Sequence, residues 1–318
     1  MVRPVIATKL YVPRTRRGII TRPRLIEQLR RGAEVSVTLM SAPAGFGKTT
    51  LLAEWLSETS DYDRRVAWLS LDATDNEPAA FWTYVATALT SAVPSIGTTA
   101  AELLGSSAVP MYRVLTTLLN ELAETQHEIW LILDDYHLVD DHDVGEAMAF
   151  FLEHLPAHVH VVLSTRADPD LPLARWRVRG ELVEIRAADL RFTPEEAAAY
   201  LETATGLNLA AEDVAVLEER TEGWIAALQL AALSLQGRPD VNNFITRFAG
   251  DDRYIVDYLA EEVLQRQPDQ VHSFLLHTSR RRPAWISPRR TWPCSRIGPR
   301  AGSPRCSWPH SPSRADRT

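Results

Sequence analysis

Thiols are missing from most of this chain. Its two cysteines, Cys294 and Cys306, both lie near the end of 318 residues. Neither a disulfide nor a cysteine-ligated metal can therefore hold the preceding body together. No run of about 18 apolar residues occurs, so no membrane span is expected. The opening Met1-Val2-Arg3-Pro4 is not followed by the apolar stretch of a secretory signal. The expected compartment is the cytoplasm, with no membrane partner. Acidic residues are also nearly missing after Ser279, where Asp316 stands alone against ten arginines. The total charge of −7 thus divides into +9 for residues 280–318 and −16 for the rest. An acidic body argues against non-specific nucleic-acid binding by that body.

What is present is a globular composition, 45% apolar and 24% charged. The length suits about two domains with a sizeable buried core. The alternating run Val35-Ser36-Val37-Thr38-Leu39-Met40 leads into Ser41-Ala42-Pro43-Ala44-Gly45-Phe46-Gly47-Lys48-Thr49-Thr50, and a helical pattern follows from Leu51 to Leu56. Strand, glycine-bearing loop, Lys-Thr and helix form the P-loop arrangement. Glycines let backbone N–H groups turn inward around a polyphosphate. Lys48 can reach β- and γ-phosphates, the Thr49 hydroxyl can sit on Mg²⁺, and the helix start adds N–H donors of its own. The cofactor-binding set expected from this stretch is Ala42, Pro43, Ala44, Gly45, Phe46, Gly47, Lys48, Thr49 and Thr50. Ala42 stands where the usual pattern has glycine, so the turn there must be made without positive φ.

A second stretch completes the argument. Glu128-Ile129-Trp130-Leu131-Ile132-Leu133 reads as a strand buried on both faces, and it ends in Asp134-Asp135. Parallel sheets bind ligands at that edge. Beside a P-loop, Asp134 would support the metal together with Thr49, and Asp135 would position or deprotonate an attacking water. His158 to Arg166 reads as a further strand whose polar tip brings Arg166 as a γ-phosphate sensor, its planar fork suited to phosphate oxygens. Other strands are expected at Val66–Leu71 and Leu182–Ile185. Helices are expected over Leu25–Leu29, Phe81–Leu89 and Met111–Thr125, with a Ser/Thr/Gly/Ala-rich loop from Ser91 to Val109. The α1-type helix at Pro23–Leu29 is expected to flank the nucleotide base or simply to cap the surface; Arg22 at its start joins the cofactor-binding set.

Several tempting residues have plainer readings. The run Tyr136–Asp143 has metal-ligating residue types, but an acidic helix start explains it through the helix dipole. His154, His158 and His160 do not share a helix face, because Pro156 interrupts them. Arg175, Arg177 and Arg179 sit in a short helix or turn and could face phosphate or solvent.

After about Asp189 the pattern is wholly helical: roughly 194–204, 211–221, 223–236, 241–249 and 251–266. Thr193-Pro194-Glu195-Glu196 is a capping box. Beyond Ser279 no apolar period survives. Interleaved arginine and tryptophan there suggest nucleic-acid stacking, disorder, or a third reading. Arg/Pro/Ser/Trp/Cys enrichment is what a GC-rich gene gives in a shifted reading frame, and the abrupt change predicts a frameshift after about Ser279. DNA downstream of codon 279 that holds no continuing helical frame would overturn this.

Together these residues resemble one family: the large ATP-dependent LuxR-type transcription regulators of the maltose-regulon-activator kind, within the STAND class of signal-transduction ATPases. The resemblance rests on Lys9-Leu10, Pro13, Arg22-Pro23-Arg24-Leu25, the loop from Ala42 to Thr50, Trp68-Leu69-Ser70-Leu71-Asp72, Asp134-Asp135-Tyr136-His137 and Ser164-Thr165-Arg166-Ala167-Asp168-Pro169. It continues through Asp189-Leu190-Arg191-Phe192, Gly223-Trp224 and Asp252-Arg253-Tyr254, covering about residues 8–279. Ala42 is ordinary for the family. The resemblance implies an α/β P-loop NTPase with a mainly parallel five-stranded sheet, followed by an all-α helical domain and a partial winged helix. The expected divisions are 1–34 for an N-terminal arm and helix, 35–189 for the NTPase domain, 190–250 for the helical domain, 251–279 for part of the winged helix and 280–318 for the basic tail. It implies ATP/ADP and Mg²⁺ as ligands, slow hydrolysis at most, self-association in the ATP state, and DNA contact only through a C-terminal domain that this sequence lacks. A stand-alone P-loop ATPase or kinase, with Arg175 to Arg179 as its lid, is the enzyme alternative; an inert remnant is a third.

Overall fold

Five strands, all parallel, make one sheet in the order β2-β3-β4-β1-β5: β1 (Val37–Ser41), β2 (Arg64–Ser70), β3 (Glu128–Asp134), β4 (Val159–Thr165) and β5 (Leu182–Arg186). This computed structural model describes residues 5–14, 18–58, 64–106, 109–236, 241–248 and 253–260. The described residues all belong to one compact unit, Met1–Arg266. The basic tail, both cysteines and the expected winged helix beyond residue 260 lie outside them.

The central strands read as continuous apolar runs because helices cover both faces. Every residue of β1 and β4 is buried. Alternation still sorts side chains by face. Val37, Leu39, Leu131, Leu133, Val161 and Leu163 meet one core, and Met40, Trp68, Trp130, Ile132, Val162 and Ile185 meet the other. The second core is closed by α1 (Pro23–Arg30) and α2 (Lys48–Glu58). Leu25, Ile26 and Leu29 of α1 are fully buried there, as their spacing predicts. Trp55 of α2 meets Trp130 edge-to-face at 4.8 Å. Each buried indole removes about 150–250 Å² from water, an upper bound of roughly 4–6 kcal/mol.

The opposite face carries α3 (Pro78–Ala92), α4 (Thr98–Leu104), α5 (Met111–Glu124) and α6 (His142–Glu153). Helix α4 corrects the loop expected from Ser91 to Val109. Its sequence, TTAAELL, is only seven residues, too short to show a period, and only Ala100 is fully buried. Helix α6 starts at Asp141, whose carboxylate accepts from the N–H groups of Asp143 and Val144 at 2.9 and 3.1 Å. A short α7 (Leu173–Arg179) precedes β5, and α8 (Ala187–Leu190) follows it.

From Phe192 on, helices gather a third core of their own, including Leu201, Leu217, Leu228, Leu235 and Phe248. They are α9 (Pro194–Thr205), α10 (Ala211–Thr221), α11 (Ile225–Leu235), α12 (Val241–Arg247) and α13 (Arg253–Leu259). The capping box at α9 is present: Thr193 Oγ1 accepts from Glu196 N–H at 3.2 Å, and Glu196 accepts from Thr193 N–H at 3.1 Å. Helix α11 is apolar nearly all round, as suits the middle of this layer. No helix among the described residues is long and apolar enough to cross a membrane.

Candidate functional site

The sheet brings three loops to one edge. Ser41 at the end of β1 pairs with Thr165 at the end of β4, and β4 lies beside β3, which ends in Asp134. The loops after these strands, Ala42–Gly47, Asp135 and Arg166, therefore leave the sheet side by side at its carboxyl edge.

The loop between β1 and α2 has Gly45 at φ 77° and Gly47 at φ 74°. That left-handed backbone turns successive N–H groups into one concavity. Ala42 is buried and its N–H donates to Thr165 O at 3.2 Å, so the first loop position holds ordinary backbone, as its side chain requires. Lys48 is buried at the start of α2, and its ammonium donates to the carbonyls of Ala42 (2.6 Å) and Pro43 (3.1 Å). Burial pulls its pKa down to about 8, opposed by Asp135 and Asp134 and reinforced by Arg166.

Thr49 Oγ1 donates to Asp134 Oδ2 at 2.7 Å across 85 residues of sequence. Asp134 is 3% exposed. Burial raises its pKa, while the neighbouring Ser164 hydroxyl and the hydrogen bond from Thr49 pull it down. A hydroxyl and a carboxylate side by side are hard oxygen donors of the kind Mg²⁺ takes, with phosphate and water completing its shell. These residues fit that ion. No group of three or more His, Cys, Asp or Glu among the described residues could hold a metal without such help. Asp135 follows in the left-handed region at φ 58°, a conformation that aspartate adopts more readily than most residues.

Lys48, Thr49, Thr50, Asp135 and Arg166 line one polar pocket of about 440 Å³, together with Ala44, Gly45 and Gly47. A neighbouring pocket of about 470 Å³ is more apolar, with Ile19, Ile20, Leu51, Phe192, Tyr200 and Ile225 in its wall. Gly47, Thr50 and Gln229 border both, so the two pockets adjoin. Arg22 lines the apolar pocket, but its guanidinium is committed elsewhere. It donates to Leu190 O (2.7 Å) and Arg191 O (3.0 Å), pairs with Glu196 at 3.2 Å, and lies over the Phe192 ring. Arg22 thus ties α1 to the helical layer and forms pocket wall. Glu54 on α2 is a wall residue that motif reading missed.

The remaining candidates are engaged separately. His158 and His160 bond the carbonyls of Leu122 (3.0 Å) and Val35 (2.7 Å), and His154 bonds Phe150 O (2.8 Å). The arginines of α7 pair with carboxylates: Arg175 with Glu153 at 2.8 Å, Arg177 with Glu184 at 2.6 Å and Arg179 with Glu181 at 3.8 Å.

The helical layer also touches the loop. Trp224 Nε1 donates to Ala44 O at 3.1 Å, and Ala226 N–H donates to Gly45 O at 3.0 Å.

Known proteins place this arrangement. No family model matches the chain. It is 37% identical over 278 residues to the serine/threonine-protein kinase PknK of Mycobacterium tuberculosis, covering 87% of this chain and 25% of PknK. It is 34% identical over 281 residues to the HTH-type transcriptional regulator MalT of Yersinia enterocolitica, covering 86% of this chain and 30% of MalT. The chain thus spans between a quarter and a third of the length of these relatives. Its fold is similar to that of a signal transduction ATPase with numerous domains from Pyrococcus horikoshii that carries a tetratricopeptide repeat sensor, with a TM-score of 0.52, 16% identity, and coverage of 74% of this chain and 32% of that one. The chain has the P-loop NTPase fold and is homologous to one region of the MalT-like regulators.

Proposed function

We propose that the chain is the ATP/ADP-binding switch module of a LuxR-type ATP-dependent transcription regulator. One observation carries the reading: the Thr49 hydroxyl sits on the Asp134 carboxylate at 2.7 Å, beside Lys48 and two left-handed glycines, in a polar pocket that adjoins a more apolar one. That is the order of groups an adenine nucleotide presents, base to polyphosphate.

In this proposal the loop from Ala42 to Thr50 cradles the phosphates, and Lys48 moves from the Ala42 and Pro43 carbonyls to the β- and γ-phosphate oxygens. Thr49 and Asp134 hold Mg²⁺, which when bound neutralises phosphate charge. Asp135 orients a water at the γ-phosphate, and Arg166 stabilises charge on it. Hydrolysis is slow, because an arginine supplied from outside contributes about 10³–10⁵ in rate to such enzymes. The division near 190 between an NTPase domain at 35–189 and a helical domain at 190–250 is supported by the separate core that begins at Phe192, although that core runs on past 250 to Ile255. Self-association in the ATP state, and DNA contact through parts of the longer relatives that this chain does not match, belong to the same proposal, as does a cytoplasmic location.

Titration calorimetry of the purified chain with ATP and ADP, with and without Mg²⁺, tests the reading. The expected result is nucleotide binding that Lys48→Ala abolishes, with turnover far below once per second. No binding, or binding unchanged in Lys48→Ala, would sink it. Fast turnover with a small acceptor would favour the stand-alone ATPase or kinase.

A further inference from the structure

The two hydrogen bonds from the helical layer fall on consecutive carbonyls of the phosphate loop. Trp224 Nε1 takes Ala44 O at 3.1 Å, and the main-chain N–H of Ala226 takes Gly45 O at 3.0 Å. Ala226 lies in the first turn of α11, where backbone N–H groups have no partner within the helix. Helix α11 has no side-chain cap; the loop carbonyl does that work from some 180 residues away.

The peptide bond makes this contact matter for phosphate. No peptide in the described residues is cis. In a planar trans peptide the C=O and the following N–H point in opposite directions. Holding the Ala44 and Gly45 carbonyls toward α11 therefore turns the N–H groups of Gly45 and Phe46 away from it. Those two amides stand in the middle of the loop, just before the Gly47, Lys48 and Thr49 amides that open α2. Packing allows little slack: a Cβ on Gly45 would stand 2.5 Å from Ala226 Cβ and 2.9 Å from Trp224 Nε1. The Trp224 ring is itself braced edge-on by Tyr258 at 5.7 Å.

We infer that Trp224 is a positioning residue for polyphosphate: its indole N–H and the Ala226 amide orient the Gly45 and Phe46 amides toward the phosphates, so that the helical layer sets the loop's affinity for the phosphate chain. The inference rests on the phosphate-binding reading of the loop. It also names the physical link by which nucleotide and helical layer act on each other. Any movement of α11 off the loop frees both peptides to rotate, and any ligand that needs them oriented favours the docked helix.

The test separates phosphate from base. Trp224→Phe keeps an aromatic ring beside Tyr258 and removes the N–H donor. Where that variant folds poorly, benzothienylalanine at 224 replaces the N–H by sulfur with the ring shape kept. Displacement of a fluorescent ATP analogue is measured with ATP, tripolyphosphate and adenosine. Loss of one such hydrogen bond predicts about three- to tenfold weaker ATP and tripolyphosphate binding. Adenosine, which needs only the apolar pocket, should compete as it does against the parent. Unchanged tripolyphosphate affinity would overturn the inference, and so would an equal loss for adenosine, since that would mark a merely structural role. If the parent binds neither ATP nor tripolyphosphate, the proposed function fails and the inference with it.

Discussion

A single methyl group at position 45 tests the contact between the loop and the helical layer. Gly45 has φ 77°, and a Cβ there would meet Ala226 Cβ at 2.5 Å, Tyr258 Oη at 2.8 Å and Trp224 Nε1 at 2.9 Å. Two costs follow in Gly45→Ala. The left-handed backbone costs about 1–2 kcal/mol for a residue with a Cβ. Overpacking against a helix that must shift adds about 1–3 kcal/mol. Gly47→Ala is the control: its φ is 74°, but its Cβ would meet only the flexible end of Ile225, at 3.1 Å. It carries the backbone cost with little of the steric one. Gly45→Ala should therefore be less stable than Gly47→Ala by about 1–3 kcal/mol, a sizeable part of an ordinary domain's stability. Urea unfolding followed by circular dichroism in nucleotide-free buffer reads the difference. The double variant Gly45→Ala/Ala226→Gly removes the clashing methyl and should recover about 1 kcal/mol or more beyond additivity. Equal midpoints for the two single variants, or no coupling with Ala226→Gly, would refute the docked geometry of α11.

Further predictions follow from paired side chains. Lys9 Nζ pairs with Asp75 and with Asp72 at 2.7 Å each, and Asp75 is fully buried. Asp75→Asn should cost about 3 kcal/mol in urea unfolding, since it strips one partner from a buried pair. Trp130, packed against Trp55 at 4.8 Å and His160 at 4.7 Å, should lose about 3–5 kcal/mol on replacement by Ala, read by the same unfolding assay. Glu184 accepts from Arg177 at 2.6 and 2.8 Å and also from Arg186, and these bonds hold its pKa at about 2 against the opposing effect of burial. A folded-state value below the unfolded one means that the unfolded chain binds more protons between them. Stability should thus fall as pH drops from about 4.5 toward 2, and Glu184→Gln should flatten that part of the profile.

Much of the site was legible because its signals are local. The strand, the two glycines, Lys48-Thr49 and the apolar run into Asp134-Asp135 each lie within about ten residues, and each obeys a periodicity or a backbone rule. Buried runs alternating with helical patterns marked the five strands, and the family resemblance implied their mainly parallel arrangement. Helix α4 was missed because Thr98–Leu104 spans only about two turns, too short for a helical period to show. Arg175 was ambiguous because its carboxylate partner, Glu153, lies on another helix, more than 20 residues away in sequence.

The sequence by itself determined that a glycine-bearing loop opens a helix and that a strand ends in paired carboxylates, since both are written in short-range pattern. Only the tertiary structure decided that Thr49 meets Asp134, that Arg22 reaches back to Leu190 and Arg191, and that Trp224 and Ala226 hold the carbonyls of Ala44 and Gly45. The reason is physical. Periodicity reports which face of an element is buried, but a hydrogen bond between residues 180 apart depends on strand order and on where each helix lands. Those are settled by how the three cores pack together.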